Sequence, residues 1–128
     1  MTETPITDLD WSTVPSPCFV VDTRLLERNA RILGRVRHEA GCKVLLALKG
    51  FAMWKAFAPF QAQLDGCTAS GPIEARLARE EFGKEVHTYA PAFSAEDLAE
   101  TTHWHGLIHF SFEDRDIAYL LGFVSFAR

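Results

Sequence analysis

Segments with two different spacings of apolar residues alternate along most of the 128-residue chain. Short β-rich runs, with side chains alternating every second position, are separated by stretches whose apolar residues recur every three to four positions. The predicted strands KVLLAL, CTAS, EVHTYA and GLIHF begin near residues 43, 66, 85 and 106. Strands that alternate with helices and are joined by short loops indicate a parallel α/β sheet.

The first predicted helix follows a short β-rich run, CFVVD, whose last residue, Asp22, is a good N-cap. Gly41 ends this helix at a position where a left-handed cap is favoured. The helix is predicted to be amphipathic, with an arginine-rich face in solvent. Its apolar positions fall at helical spacing: Leu25, Leu26, Ile32, Leu33 and Val36.

Further start and stop signals mark the later helices. Residues 52–64 have helical composition, and Pro59 should kink or restart that helix. Ser70-Gly71-Pro72, read as an N-cap followed by proline in the first turn, opens a helix that Gly83 closes. Two Ser/Asp pairs predict capping boxes for the last two helices: Ser94 with Asp97, and Ser111 with Asp114 for a helix through Leu121.

Four strands with three intervening helices fit two architectures. One is a small open sheet, and the other is the first part of an eight-unit barrel, which needs roughly 250 residues. The last nine residues carry no stop signal, so we expect a chain that is cut short. Residues 1–16 are predicted to be an extended lead-in.

Bulk composition excludes several classes of function. A net charge of -4 gives no basic footprint for nucleic acid or an anionic membrane. The three cysteines lack a CxxC pair, which favours neither a disulfide framework nor a zinc site. His103 and His105 alternate like metal ligands but lack a third partner, so a metal is not expected. The acidic, polar N-terminus and the absence of a long apolar run predict a cytoplasmic protein.

The candidate chemistry lies at Lys49, which ends the apolar run of the first strand. Alternation places Leu45, Ala47 and Lys49 on one face, with the amine at the carboxyl end, where parallel β/α proteins bind ligands. A poorly hydrated amine has a lowered pKa and can condense with an aldehyde cofactor. The alternative is a solvated strand end, and both interpretations remain open. Gly50, Phe51 and Trp54 follow directly, as an apolar pocket wall or as core of the next helix.

Several segments resemble one known family. PSPCFVVDTRLLERNARIL (residues 15–33) resembles the opening of the fold-type III pyridoxal-phosphate enzymes, which include alanine racemase and the ornithine and diaminopimelate decarboxylases. CKVLLALKGFAMW, LDGCTASGPIEARLAREEFGKEVHTYAPAF and LIHFSF are similar to the carboxynorspermidine decarboxylase branch. The resemblance covers residues 15–112, the first third or so of such an enzyme.

The resemblance implies an enzyme fragment with pyridoxal 5'-phosphate as its cofactor. The parent would decarboxylate carboxynorspermidine or carboxyspermidine to norspermidine or spermidine, and the isolated chain would be inactive. Lys49 would be the lysine that binds the cofactor covalently, with Ser70 and Glu74 near the cofactor ring and Tyr89 at the pocket wall. No metal, nucleic acid or membrane would take part.

The resemblance also implies the architecture. Residues 17–128 would be the N-terminal portion of a (β/α)8 TIM-like barrel, incomplete and without the family's C-terminal β domain, and the parent would be a homodimer. Cys67 stands near a common aspartate of relatives, which implies a different charge around Lys49. His109-Phe110-Ser111-Phe112 is a looser match to the strand that usually reads F-N-S in relatives, so an asparagine is absent. Two alternatives remain open: a decarboxylase of diaminopimelate or another basic amino acid, and a non-catalytic cofactor-binding or truncated chain.

Overall fold

A parallel sheet of four strands organises the computed structural model, which describes residues 6–104 and 107–110. The strands are β1 Leu45–Ala47, β2 Gly66–Ala69, β3 Glu85–Ala90 and β4 Leu107–Phe110. Their order in the sheet, β1-β2-β3-β4, is their order along the chain, and each neighbouring pair is parallel. The predicted parallel α/β architecture is confirmed for this part of the chain.

Helices precede the sheet and connect its strands. They are α1 Thr23–Ala40, α2 Ala58–Gln63, α3 Pro72–Leu77 and α4 Ala95–His103. The Asp22 carboxylate accepts hydrogen bonds from the backbone N–H groups of Arg24 and Leu25, and Gly41 ends α1 with a left-handed φ of 62°. The Ser94–Asp97 capping box opens α4. These predicted helix boundaries are therefore confirmed.

The middle helices are shorter than the sequence predicts. A 3-10 turn, Trp54–Ala56, is followed by α2, with Pro59 in the first turn of α2 as a restart requires. The helix after β2 is α-helical only to Leu77 and continues as a π-helical turn, Ala78–Phe82. Gln61 Nε2 donates hydrogen bonds to the backbone oxygens of the last two residues of that turn, at 2.9 and 3.1 Å. Because this side chain satisfies carbonyl groups at the end of the turn, it helps to hold the wider helical geometry.

The N-terminal region differs from the expected extended lead-in. The β-rich run CFVVD that follows it forms no strand among the described residues. The lead-in is not extended throughout: it contains 3-10 turns at Ile6–Asp8 and Trp11–Thr13, and the Asp10 side chain caps the second by accepting from the Ser12 N–H. The predicted last helix, from Ser111 to Leu121, lies outside the described residues.

The two faces of the sheet have different environments. The covered face packs against the helices through Leu46, Leu48, Cys67, Ala69, Val86 and Thr88, which are all buried. The open face carries Leu45, Ala47, Thr68, Glu85, His87 and Tyr89, which are half-buried or exposed. The core lies between the covered face and side chains such as Phe57, Phe60 and Phe82. All helices that contribute to this core therefore pack on one side of the sheet.

Helix α1 packs differently from its predicted amphipathic pattern. Ala30 is buried and Leu26 is half-buried against the core, whereas most of the apolar residues of the helix are exposed: Leu25, Ile32, Leu33 and Val36. Gly34 sits so close to Gln63 that a Cβ there would overlap the Gln63 side chain. The close approach of α1 to α2 therefore turns the row of Leu26, Ala30 and Gly34 inward. The remaining apolar stripe has no cover from the described residues.

Candidate functional site

Three of the four predicted site residues lie at or just beyond the carboxyl ends of neighbouring strands. Ala47 is aligned with Thr68, and Thr68 with His87. Pairing continues past β1, because the Leu48 N–H donates to the Thr68 carbonyl oxygen at 3.1 Å. Extended by two positions, this register would bring Lys49 and Ser70, which follow the ends of β1 and β2, into one row with Tyr89 of β3. This row lies at the carboxyl ends of the parallel strands, the predicted ligand-binding edge.

Lys49 lies in a tight turn directly after β1. The backbone N–H groups of Gly50 and Phe51 both donate to the Ala47 carbonyl oxygen, at 3.0 and 3.1 Å, and this turn ends the strand. Lys49 is exposed, and it forms no salt bridge with the residues that the structure describes. An amine without a carboxylate partner is available to an incoming ligand.

The residues after Lys49 line an apolar cavity of about 490 Å³, as the pocket-wall interpretation predicts, although Lys49 itself is not among the lining residues. The cavity lies between residues 50–54 and the segment Phe19, Val20 and Val21. The Phe51 ring also packs against the core, where its centroid lies 5.5 Å from that of Phe60, whereas Trp54 is half exposed and is not core. Solvent reaches Lys49 because no described element covers the open face.

Glu74 has a local structural contact rather than one with Lys49. Its Oε2 accepts a hydrogen bond from the backbone N–H of Ser70 at 2.7 Å, across the first turn of α3. The N-cap of α3 is Gly71, which has no side-chain cap, so Ser70 is not the N-cap. Glu74 thus fixes the loop that carries Ser70, and the Ser70 side chain is exposed at the edge of the sheet.

Cys67 does not face the lysine. It lies on the covered face, aligned with Leu46 and Val86, and is fully buried. Burial in these apolar surroundings raises the pKa of the Cys67 thiol to about 12. The Cys67 thiol is therefore neutral and brings no charge to the open face.

Asp65 anchors the strand that leads to Lys49. Its two carboxylate oxygens each accept a hydrogen bond from the Arg37 guanidinium at 2.6 Å, and Oδ2 also accepts from the Val44 N–H at 3.0 Å. The hydrogen bond from Arg37, and then the one from Val44, lower the pKa of Asp65 to about 2. Sequence reasoning missed this residue, because an acid before a strand carries no signal of its distant partners.

A charged group on the open face was also missed. Lys43 Nζ donates to both carboxylate oxygens of Glu85, at 2.8 and 2.7 Å, and this contact is the main cause of a lowered Glu85 pKa. His87 Nε2 lies 3.4 Å from Glu85 Oε1. The period-two pattern of EVHTYA was the available signal, because it puts Glu85, His87 and Tyr89 on one face.

Neither a metal site nor a membrane span is found in the described ranges. Residues 6–104 and 107–110 contain no group of three metal-ligating side chains that could hold an ion. Within the same residues, no helix is long and apolar enough to cross a bilayer.

Sequence comparison identifies decarboxylases as relatives, although no protein-family model matches the chain. Over 87 residues, 68% of the chain, it is 51% identical to a carboxyaminopropylagmatine decarboxylase of Synechocystis. Over equal lengths it is 41% and 39% identical to carboxynorspermidine/carboxyspermidine decarboxylases of Campylobacter jejuni and Herminiimonas arsenicoxydans. The matches cover 22%, 23% and 24% of these relatives, so the chain spans about a quarter of their length.

Structural comparison gives the same relationship. The crystal structure of carboxynorspermidine decarboxylase from Campylobacter jejuni, complexed with norspermidine, matches 88% of the chain with a TM-score of 0.77 and 37% sequence identity. The match covers 29% of that structure. The predicted resemblance is thus confirmed: the chain is homologous to part of these decarboxylases.

Proposed function

We propose that this chain, which is homologous to part of the carboxynorspermidine decarboxylases, is the N-terminal portion of a pyridoxal-phosphate-dependent decarboxylase of carboxylated polyamines. The observation that carries the proposal is the position of Lys49. Lys49 follows the carboxyl end of β1 by two residues, is exposed, and has no carboxylate partner among the described residues. An amine in this position suits covalent capture of an aldehyde.

The proposed fold is an incomplete (β/α)8 barrel formed by residues 17–128. Support comes from strands that follow one another in chain order, from helices packed on the covered face, and from a match to 29% of a decarboxylase structure. In a closed barrel the open face would point inward, and Lys49 would stand at the mouth of the barrel. The family's C-terminal β domain would complete the enzyme.

The described residues include groups that would suit the aldehyde end of pyridoxal phosphate. Lys49 would hold the cofactor covalently, Ser70 and Tyr89 would line the same edge, and Glu74 would keep the Ser70 loop in place. When bound, the cofactor supplies an electron sink for the loss of carbon dioxide. The protein's part is to orient the ligand and to keep the Lys49 amine near it.

A second candidate substrate is carboxyaminopropylagmatine. The observation in its favour is the 51% identity to the Synechocystis decarboxylase, against 41% and 39% for the two carboxynorspermidine/carboxyspermidine enzymes over equal lengths. All three compounds join a carboxylated carbon to an amine-bearing chain, so the same lysine chemistry would serve each of them.

Isolated, the chain is proposed to be inactive. The open face and the apolar stripe of α1 are uncovered among the described residues, and Lys49 is exposed to water. A site that must exclude water and hold a ligand on several sides is not formed by one side of a barrel. We expect no release of carbon dioxide from any of the three substrates by the 128-residue chain.

Covalent labelling tests the proposal. The chain is incubated with pyridoxal phosphate, reduced with borohydride and mapped by peptide mass spectrometry. We expect the label mainly on Lys49, its loss in Lys49→Ala, and no change in Lys55→Ala, which removes a nearby exposed lysine. Equal labelling of Lys43, Lys55 and Lys84 alongside Lys49 would show ordinary surface amines and would contradict the proposal.

A further inference from the structure

Helix α1 presents an exposed apolar stripe at one end of the helix layer. Helix α1 packs on α2, α2 contacts the π-helical turn that follows α3, and α3 packs on α4. The helices therefore lie side by side in chain order, as the strands do, with α1 at the β1 end. The stripe consists of four side chains that are 36–48% exposed: Leu25, Ile32, Leu33 and Val36.

Helical geometry directs most of this stripe away from α2. Gly34 faces α2, because a Cβ on it would overlap the Gln63 side chain. Since successive residues are rotated by about 100°, Leu25 lies about 180° around the helix from Gly34. By the same rotation, Ile32 and Val36 lie about 160° from Gly34. The stripe therefore points to the position that a further helix of the same layer would occupy.

The sheet has an unpaired edge at the same end. Among the described strands, β1 is paired with β2 alone. The Leu48 N–H is directed at β2, since it donates to the Thr68 carbonyl oxygen at 3.1 Å. Because backbone groups of successive strand residues point to opposite sides, the N–H groups of Leu45 and Ala47 point away from β2. A parallel strand added there, with its helix on α1, would cover both the edge and the stripe.

Charge at the rim of the stripe favours an acidic partner. Arg28 and Arg35 lie beside the stripe on its solvent side, and neither forms an ion pair with a residue that the structure describes. One acid, Glu39, lies on the same rim. A second copy of the chain would bring the same arginines to the contact, whereas a helix with carboxylates at its rim would be complementary.

The decarboxylase relatives contain sequence that could supply such a partner. The structural match covers 29% of the Campylobacter jejuni enzyme, so most of that protein lies outside it. The strands of the present sheet begin about every 20 residues, which is the length of one strand with its helix and loops. The unmatched part is long enough for several such units.

We propose that the α1 stripe and the outer edge of β1 form a docking surface for one further β/α unit of a carboxynorspermidine-type decarboxylase. The strand of that unit pairs parallel to β1, and its helix places an apolar stripe against Leu25, Ile32 and Val36. Carboxylates at the rim of that helix pair with Arg28 and Arg35. This inference rests on the proposed function and deepens it by naming the partner and the surface that binds it.

Co-expression tests the docking. The tagged 128-residue chain is produced together with the part of the Campylobacter jejuni enzyme that lies outside the structural match, and the complex is quantified after affinity purification. We expect a one-to-one complex. Ile32→Glu should reduce its recovery about tenfold or more, because the carboxylate would be buried without a partner. Ile73→Glu, the matched control, changes an isoleucine on α3 that is 82% exposed and should leave recovery unchanged.

A charge-reversal pair tests the rim separately. Arg35→Glu should reduce recovery of the complex less than Ile32→Glu does, because the rim stays accessible to water. Arg79→Glu, which reverses an exposed arginine after α3, should have no effect.

A chimera provides a second format. The present chain replaces the matched segment of the Campylobacter jejuni enzyme, so that both parts belong to one polypeptide. Ile32→Glu should lower the thermal midpoint of the chimera clearly. In the isolated chain, where Ile32 is 44% exposed, the same substitution should shift the midpoint far less.

Three results would overturn the inference. They are the absence of a complex or a folded chimera with the unmodified chain, equal effects of Ile32→Glu and Ile73→Glu, and a homodimer of the isolated chain that Ile32→Glu makes monomeric. The last result would assign the stripe to a second copy. Failure of the proposed function is distinguishable, because it would appear as a missing pyridoxal-phosphate label on Lys49 in a complex that does form.

Discussion

Removing the Phe57 ring should destabilise the chain more than any change to an exposed aromatic residue. Phe57 is 1% exposed, and its ring centroid lies 5.5 Å from that of Phe82 and 6.5 Å from that of Phe51. Phe19, the matched control, is 94% exposed. The two substitutions, Phe57→Ala and Phe19→Ala, delete the same atoms from opposite environments.

The expected magnitudes follow from burial and ring contacts. Phe57→Ala should lower the free energy of unfolding by about 3–5 kcal/mol, the usual cost of emptying a phenylalanine site in a core. Phe57→Leu keeps most of the volume but loses two ring pairs, each worth roughly 0.5–1.5 kcal/mol, so we expect a loss of about 1–3 kcal/mol. Phe19→Ala should change the free energy by no more than about 0.5 kcal/mol.

Urea denaturation followed by tryptophan fluorescence measures these differences. The chain has three tryptophans, and Trp54 lies three residues before the substituted Phe57. The denaturant slope should stay constant across the variants, so that midpoint shifts report stability. Equal losses for Phe57→Ala and Phe19→Ala would refute the assignment of the core to the covered face of the sheet.

Three other predictions concern named positions. The pKa of Asp65 is lowered in the folded chain, so its contribution to stability is present above the ordinary pKa of 3.8 and is lost as pH falls from there to about 2. Asp65→Asn should therefore make the thermal midpoint depend less on pH between pH 5 and pH 2 (roughly that window). A pH dependence equal to that of the unmodified chain would contradict this prediction. Gly66→Ala should cost about 1–3 kcal/mol in urea denaturation, because its Cβ would overlap a backbone carbonyl of β3. Gly71→Ala, with nothing within 4 Å of the added carbon, should cost far less, and a reversed order would show that β2 and β3 are not packed as described. Iodoacetamide at pH 8, roughly half a unit below the pKa of a free thiol, should alkylate the two exposed cysteines of the native chain. It should spare Cys67, whose buried thiol has a pKa of about 12. Rapid labelling of Cys67 before denaturation would contradict its burial.

Local signals in the sequence predicted helix boundaries well. The caps at Asp22 and Ser94 and the left-handed glycines, Gly41 and Gly83, were confirmed. Each cap depends on backbone geometry and hydrogen bonds within a few residues, so the neighbouring residues in the sequence are sufficient to predict it. Strand alternation was equally local: it correctly separated Leu46 and Leu48 from Leu45, Ala47 and Lys49.

Features that depend on distant partners were not predictable. The α1 stripe is apolar in sequence, but whether it is covered depends on which element packs beside it. The β-rich run CFVVD meets no strand among the described residues. Asp65 is paired with Arg37 and Val44, and Glu85 is paired with Lys43. Pairings between residues so far apart in the sequence follow from strand register rather than from composition.

The site was predicted in position but not in environment. Pattern and resemblance together located Lys49, Ser70 and Tyr89 at the carboxyl edge of the sheet, and the structure ends β1, β2 and β3 within two residues of them. The poor hydration expected for the amine was not found, because the residues needed to exclude water do not belong to the described elements. The roles of these residues stay predictions for the labelling experiments.

The strand order of the sheet has a consequence for how the chain is synthesised. Each new strand adds beside the one made just before it, so no strand must insert between two that are already paired. During translation β1 and β2 can pair while β3 is still inside the ribosome, and the growing edge always belongs to the newest strand. Such a sheet extends from N-terminus to C-terminus by repeated addition, and each step closes a connection of about 20 residues rather than one that spans the whole sheet.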